Sequence, residues 1–210
     1  MPKGCLVTFE GIEACGKSTQ INLLYNYLIK KNVKCIKTRE PGGTILAEKI
    51  RKLIIKDLKN NEDILTELLL LFAARSNHFK KIKLYIDKGY IVLCDRYIDS
   101  TYAYQYYEQG QNLNFINILQ RKIDNGLSPK ITFFLDIPAE ISKQRIKLRK
   151  KIDRFDKYNV IKLNKLRKSF IKLSKKYKRI LKINGLNSTE QIKNEIINHL
   201  VKKNVIKNFR

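Results

Sequence analysis

Residues 11–18 read Gly-Ile-Glu-Ala-Cys-Gly-Lys-Ser, a full match to GxxxxGK[ST]. The apolar run Cys5-Leu6-Val7-Thr8-Phe9 leads into it, and a stretch with Leu23, Leu24, Tyr27 and Leu28 at helical spacing follows over residues 19–30. A strand, a glycine loop and a helix in that order form a phosphate loop. Gly11 and Gly16 let the backbone wrap close to phosphate oxygens, so that loop N–H groups and the helix N-terminus point at negative charge. The residues predicted to bind the triphosphate are Gly11, Ile12, Glu13, Ala14, Cys15, Gly16, Lys17, Ser18 and Thr19. Lys17 reaches the β- and γ-phosphates, and the Ser18 hydroxyl is the candidate Mg²⁺ ligand.

The rest of the chain fits the architecture this loop demands. Strand-like runs fall at residues 4–10, 33–39, 90–95, 131–136 and 179–184, separated by longer segments with helical periodicity, one carrying Ile64, Leu65, Leu68 and Leu71. Strands alternating with helices predict an α/β domain: a parallel five-stranded sheet with helices on both faces. Continuous apolar runs such as Ile131-Thr132-Phe133-Phe134-Leu135 suit strands covered on both sides. Pro41-Gly42-Gly43, Gly89, Gly126 to Pro129, Pro138 and Asn184-Gly185 punctuate the elements, and Ser188-Thr189-Glu190 opens the last helix. No linker divides the 210 residues, which predicts a single domain over residues 1–210.

Composition excludes some functions. No stretch of 18 apolar residues occurs, so no transmembrane helix is expected. The N-terminal apolar run is too short for a signal peptide, and its removal would destroy the loop. Cys5, Cys15, Cys35 and Cys94 have neither CxxC nor zinc-finger spacing. Cys5, Cys35 and Cys94 sit in apolar strand-like runs and are expected to be buried, reduced thiols in a cytoplasmic protein, with Cys15 a small residue tolerated in the loop. The formal charge of +25 is uneven, with 23 Lys and Arg against 4 Asp and Glu from residue 141 onward. A nucleic-acid-binding protein that uses ATP as a switch would carry such charge, and it predicts steeply salt-dependent DNA affinity. No RRM, KH or helix-turn-helix signature accompanies the charge. A Lys-rich, solvated helix surface is the expected reading, with no specific nucleic-acid partner.

The acceptor side comes from other segments. The third strand ends in Asp95-Arg96-Tyr97, where ligands of open α/β sheets collect. Asp95 offers a carboxylate to Mg²⁺ or a hydroxyl, and Arg96 offers a guanidinium to a phosphate. A plain surface ion pair is the alternative. Residues 70–78 read Leu-Leu-Phe-Ala-Ala-Arg-Ser-Asn-His. On a helix Leu71 or Phe72 shares a face with Arg75, so an aromatic ring and an Arg could hold a flat base. Phe72 read alone suits the core, and His78 suits a structural role.

Residues 9–13 (Phe-Glu-Gly-Ile-Glu), 38–44 (Thr-Arg-Glu-Pro-Gly-Gly-Thr) and 95–105 (Asp-Arg-Tyr-Ile-Asp-Ser-Thr-Tyr-Ala-Tyr-Gln) together closely resemble bacterial thymidylate kinases. The order and spacing hold from residue 4 to about residue 200. The resemblance implies a P-loop nucleoside monophosphate kinase that phosphorylates dTMP to dTDP for dTTP synthesis, using ATP and Mg²⁺, and that forms homodimers. It implies that Glu13 bonds the sugar 3′-OH, Arg96 holds the acceptor phosphate with Asp95 near the metal or the phosphates, and Arg39 lines the same phosphate region. Arg75 reads the thymine O4, Thr101 and Gln105 line the base pocket, and Tyr104 lies near the deoxyribose. A related P-loop kinase with another nucleotide or nucleoside acceptor is the competing enzyme reading, which a substrate panel separates.

Two departures stand out. The family's thymine-stacking ring lies four residues before the Arg matched by Arg75, a position occupied here by Leu71. Phe72 is expected to stack through a small helix rotation, or stacking is lost. Lys130 stands where an acidic residue often precedes the fourth strand. The lid, a short helical segment over about residues 143–157, contains Arg145 and Arg149 one turn apart and Arg154 in Asp-Arg-Phe-Asp. Members of the family carry an Arg either within the phosphate loop or in the lid, and this loop has none. Lys17, Asp95, Arg96, Arg149 and Arg154 are therefore the expected catalytic set, and Lys147, Lys150 and Lys151 a solvated surface. An arginine finger contributes ~10³–10⁵ in rate, so Arg154→Ala is expected to lower kcat far more than it raises the KM for dTMP.

Overall fold

The computed structural model describes residues 4–58, 64–149 and 152–208. Lys150 and Lys151, read above as solvated surface, lie outside the described residues. Five strands form one sheet: β1 (Cys5–Glu10), β2 (Cys35–Arg39), β3 (Ile91–Asp95), β4 (Ile131–Asp136) and β5 (Ile180–Asn184). All pairings are parallel, in the order β2-β3-β1-β4-β5. The central position of β1 puts the phosphate loop at the middle of the carboxyl edge, with the end of β3 beside it.

Side chains alternate along β1 and β3 and so divide the core. Val7, Phe9 and Leu93 pack with Leu24 and Leu28 of α1 (Lys17–Lys30). Leu6, Val92 and Cys94 pack with Leu68, Phe72, Ile82 and Ile86 of α3 (Ile64–Asp87). Helices therefore cover both faces, as the continuous apolar strands demand. The helical stripe of α3 differs in one member: Leu65 is exposed, and Glu67, Leu68, Phe72 and Arg75 form the buried side. α2 (Ile45–Lys56) packs along α3.

After β3 the chain makes a short α4 (Ile98–Thr101) and then a π-helix over Tyr102–Glu108. Periodicity gave no sign of this wider turn. Single π-turns gather at functional sites because they redirect side chains, and here Tyr104 and Gln105 both face the same cavity. α5 (Leu113–Asp124) leads to β4, and α6 (Ala139–Lys147) runs into the segment expected from sequence to form a lid. α7 (Val160–Lys176) and α8 (Thr189–Lys202) complete the fold, α8 opening with a reciprocal Ser188–Gln191 capping box. The fully buried β4 and the free cysteines agree with the sequence reading, although Cys5 is only partly covered. Among the described residues no helix is long and apolar enough to cross a membrane.

Candidate active site

The phosphate loop is shaped by two glycines. Gly11 has φ 139°, and a Cβ there would lie 2.7 Å from the Leu135 carbonyl oxygen. Gly16 has φ 103° and sits immediately before α1. Both conformations lie in the region open chiefly to glycine. Lys17, the first residue of α1, folds its ammonium back over the loop and donates to the Gly11 and Ile12 carbonyls at 3.1 and 3.0 Å. Ser18 donates its hydroxyl to Asp95 Oδ2 at 2.9 Å, which ties the loop to the end of β3.

A cavity of about 400 Å³ opens at this edge. Its walls carry Lys17, Arg39, Arg51, Arg96, Arg145 and Arg149. So many cations around one space suit polyanionic ligands. Ala14, Cys15, Gly16, Ser18 and Thr19 complete the loop wall, while Ile12 is buried in the core.

Arg96 is the hub. Its φ of 67° is unusual for a residue with a side chain. The guanidinium donates to the Gly11 carbonyl and the Ser100 hydroxyl, both at 3.0 Å, and to Glu13 Oε1 at 3.0 Å. Tyr104 donates its hydroxyl to the same Glu13 oxygen at 2.6 Å. Burial opposes the charge on Arg96, but Tyr104, Glu13, Glu10 and Asp95 outweigh it and raise its pKa. Glu10 lies beneath, fully buried, and accepts from the Tyr97 N–H and the Ser100 hydroxyl at 2.8 and 2.6 Å. Burial, followed by repulsion from Asp99, pushes its carboxyl up to about 7.

The far wall is built around Arg75. It donates to Glu40 at 2.7 Å, Gln120 at 3.1 Å and the Thr101 hydroxyl at 2.9 Å, with Phe72 and Tyr97 rings against its guanidinium. Burial works against the Glu40 charge, yet Arg75 and His78 hold its carboxyl below the usual range. His78 bridges Glu40 and Thr38 with no exposure, a structural role. Thr101, Tyr104 and Gln105 line the cavity as expected from sequence, and Arg39 reaches it while paired to Glu48.

Two placements correct the sequence reading. Phe72 points into the α3 core and supports Arg75 from behind, while Leu71 lines the cavity. The helix keeps its phase because Leu68, Phe72 and Arg75 are all committed to the buried side, so Phe72 does not rotate out to a base. Arg154 does not line the cavity either. It is buried in an ion pair with Glu67, because a carboxylate enclosed on α3 requires a cation beside it. Of the arginines expected in the lid, Arg149 stands on the cavity wall, half-exposed and held by Asp156 at 2.8 Å. Arg145 joins it, donating to the Ala14 and Gly185 carbonyls at 3.5 and 3.3 Å.

Several site residues escaped sequence reasoning. Glu40 stood within the quoted 38–44 segment, and a Glu inside the apolar stripe of α3 was a usable sign of Glu67. Arg51 looks no different in sequence from its neighbours Lys49 and Lys52.

This arrangement has close relatives. The family model described as thymidylate kinase matches residues 9–196. The chain belongs to the thymidylate kinase family. A thymidylate kinase of Sulfurihydrogenibium sp. is 44% identical over 97% of this chain and 100% of its own length. One from Vesicomyosocius okutanii is 41% identical over 87% of this chain and 90% of its own. A solved thymidylate kinase from Ehrlichia chaffeensis superposes with a TM-score of 0.74 at 35% identity, covering 95% of this chain and 99% of that one. The parallel five-stranded sheet is thus the fold of the family.

Proposed function

We propose that this chain phosphorylates dTMP to dTDP with ATP, supplying the precursor of dTTP, and that the cavity described above holds both substrates. The observation that carries this reading is the position of Glu13. It belongs to the phosphate loop, yet its Oε1 is held by Arg96 and Tyr104 of the acceptor wall. Its Oε2 is buried and has no partner among the described residues. A buried carboxylate oxygen of that kind calls for a donor, and a sugar hydroxyl supplies one.

In this account the loop N–H groups and Lys17 take the donor phosphates, and Arg96 takes the phosphate of dTMP, with Arg39 beside it. Glu13 Oε2 accepts from the 3′-OH, Tyr104 packs near the deoxyribose, and Arg75 donates to O4 of thymine. An oxygen of the dTMP phosphate attacks the γ-phosphorus, the bond to the β–γ bridging oxygen breaks, and ADP leaves. No general base is required, since a phosphate monoester with a second pKa of about 6 is already largely dianionic at neutral pH. Catalysis is then positioning and charge compensation, with Arg149 the lid cation nearest the task and Arg145 supporting it.

Ser18 and Asp95 fit Mg²⁺. Their oxygens lie 2.9 Å apart, and no cluster of three His, Cys, Asp or Glu side chains among the described residues forms a closed cage. Mg²⁺ characteristically takes one or two protein oxygens and completes its shell with water and phosphate. When bound it neutralises charge on the β- and γ-oxygens.

Ile45, Leu46 and Leu53 on α2 and Leu65 and Leu69 on α3 are exposed on two helices that pack together, and we read them as one apolar face. This face supports a homodimer. Light scattering at twice the chain mass, reduced to the chain mass by Leu69→Glu, is the expected result, and a monomeric wild type contradicts it. The four free thiols support a cytoplasmic location. Incubation with ATP, Mg²⁺ and dTMP, followed by chromatography, tests the activity: dTDP and ADP should appear in equal amounts, and ADP without dTDP overturns it.

A further inference from the structure

Gln105 presents its carboxamide to the base wall, and the direction of that carboxamide decides what it can recognise. Its Nε2 donates to Glu67 Oε1 at 2.9 Å, and Gln109 donates to the same oxygen at 3.4 Å. Glu67 Oε2 is taken by Arg154. A carboxylate ion-paired in this way has only acceptor positions, so only the NH₂ end of Gln105 can face it. The assignment follows from charge and not from telling nitrogen from oxygen in a side-chain amide. Among the described residues nothing donates to Gln105 Oε1, and Gln105 lines the cavity next to Thr101 and Arg75.

The base wall therefore has a fixed polarity. Arg75 contributes donors only, and Gln105 contributes an acceptor. A pyrimidine that matches this pattern carries a carbonyl beside a ring N–H, the imide edge shared by thymine and uracil. Cytosine carries the reverse, an amino group beside a bare ring nitrogen. Donor would then face donor and acceptor would face acceptor, each left unpaired in a dry pocket, which is the strongest way a site rejects an analogue.

We propose that Glu67 is a positioning residue for base specificity: by locking the Gln105 carboxamide, it makes the pocket accept imide pyrimidines and refuse aminopyrimidines. Arg154 takes part as the cation that keeps Glu67 an acceptor. This inference rests on the dTMP reading of the cavity.

The test compares kcat/KM for dTMP, dUMP and dCMP in wild type and Glu67→Gln. A Gln at 67 can present either end of its amide, so Gln105 is free to turn over. The dTMP-to-dCMP ratio should fall by at least about tenfold, without vanishing because Arg75 still opposes the cytosine amino group. The dTMP-to-dUMP ratio should stay within about twofold, since both carry the same imide edge. A merely structural role lowers all three substrates in proportion, and that result overturns the proposal. Glu67→Gln leaves Arg154 without its carboxylate, so the Glu67→Gln/Arg154→Met pair, neutral on both sides, serves where the single variant does not fold. Wild type alone supplies a further arm: dTMP methylated at N3 has no N–H to give, and its turnover at the rate of dTMP also overturns the proposal. Failure of wild type on dTMP itself would instead remove the functional reading on which the inference stands.

Discussion

Arg96 and Glu13 form an ion pair at 3.0 Å that joins the end of β3 to the interior of the phosphate loop. Glu13 also accepts from Tyr104, so three chain segments meet at one carboxylate. The phosphate loop and the wall that carries Arg96 and Tyr104 are thereby held together as one unit.

That unit predicts a selective effect of Arg96→Ala. Truncating a buried, hydrogen-bonded charge costs about 2–5 kcal/mol. The expected loss in kcat/KM for dTMP is therefore about 30- to 4,000-fold, each 1.4 kcal/mol being tenfold. The KM for ATP should rise less than that for dTMP, because Lys17 and the loop N–H groups remain although the loop loses the Arg96 bonds to Gly11 and Glu13. Steady-state kinetics with each substrate varied in turn checks this. Equal losses on both substrates would contradict a role on the acceptor phosphate.

Arg149 and Arg154 should separate cleanly. Arg149 is half-exposed on the cavity wall, so Arg149→Ala should lower kcat by ~10³ or more. It leaves the buried Asp156 carboxylate with the Asp153 N–H as donor, so urea unfolding should shift less than for a variant of Arg154. Arg154→Met strands Glu67 in the interior and should cost about 3–5 kcal/mol of stability. The corrected placement of Arg154 thus turns the sequence-based expectation, a fall in kcat far larger than the rise in the KM for dTMP, into an effect dominated by stability. Unfolding curves for the two variants that coincide would contradict the split.

Glu10 should impose a pH dependence on stability. Its carboxyl, raised from 4.5 to about 7 by burial and by Asp99, binds a proton in the folded chain that the unfolded chain has already lost. Its contribution is fully present below 4.5 and is lost as pH rises through 7. Relative to Glu10→Gln, the wild type should lose on the order of 2–3 kcal/mol between pH 5 and pH 8. Parallel stability curves for the two proteins would contradict this.

Much of the framework could be read from the chain because it depends on local chemistry. The phosphate loop needs glycine at 11 and 16, a lysine at 17 and a hydroxyl at 18, and strand–loop–helix periodicity surrounds it. The central strands were legible because a doubly covered parallel sheet needs continuous apolar runs, and the edge strands β2 and β5 were legible as shorter runs with interspersed lysines between breaker residues. What was not legible depended on partners distant in sequence. Phe72 and Leu71 are adjacent, and either suits a helix facing a cleft; only the packing of α3 on β1 and β3 decides which one turns inward. Arg154 looks like a free lid arginine until Glu67, 87 residues away, is brought beside it. The π-helix at Tyr102–Glu108 has no periodic signature at all, yet it sets Tyr104 and Gln105 on the cavity wall.

The central claim is that this cavity phosphorylates dTMP. The most direct measurement is ADP release with ATP and Mg²⁺ across dTMP, dUMP, dCMP, dGMP and dAMP, corrected for hydrolysis without acceptor. The account predicts the highest kcat/KM on dTMP, with the purine monophosphates and dCMP far behind. Turnover of another monophosphate with none on dTMP would contradict it.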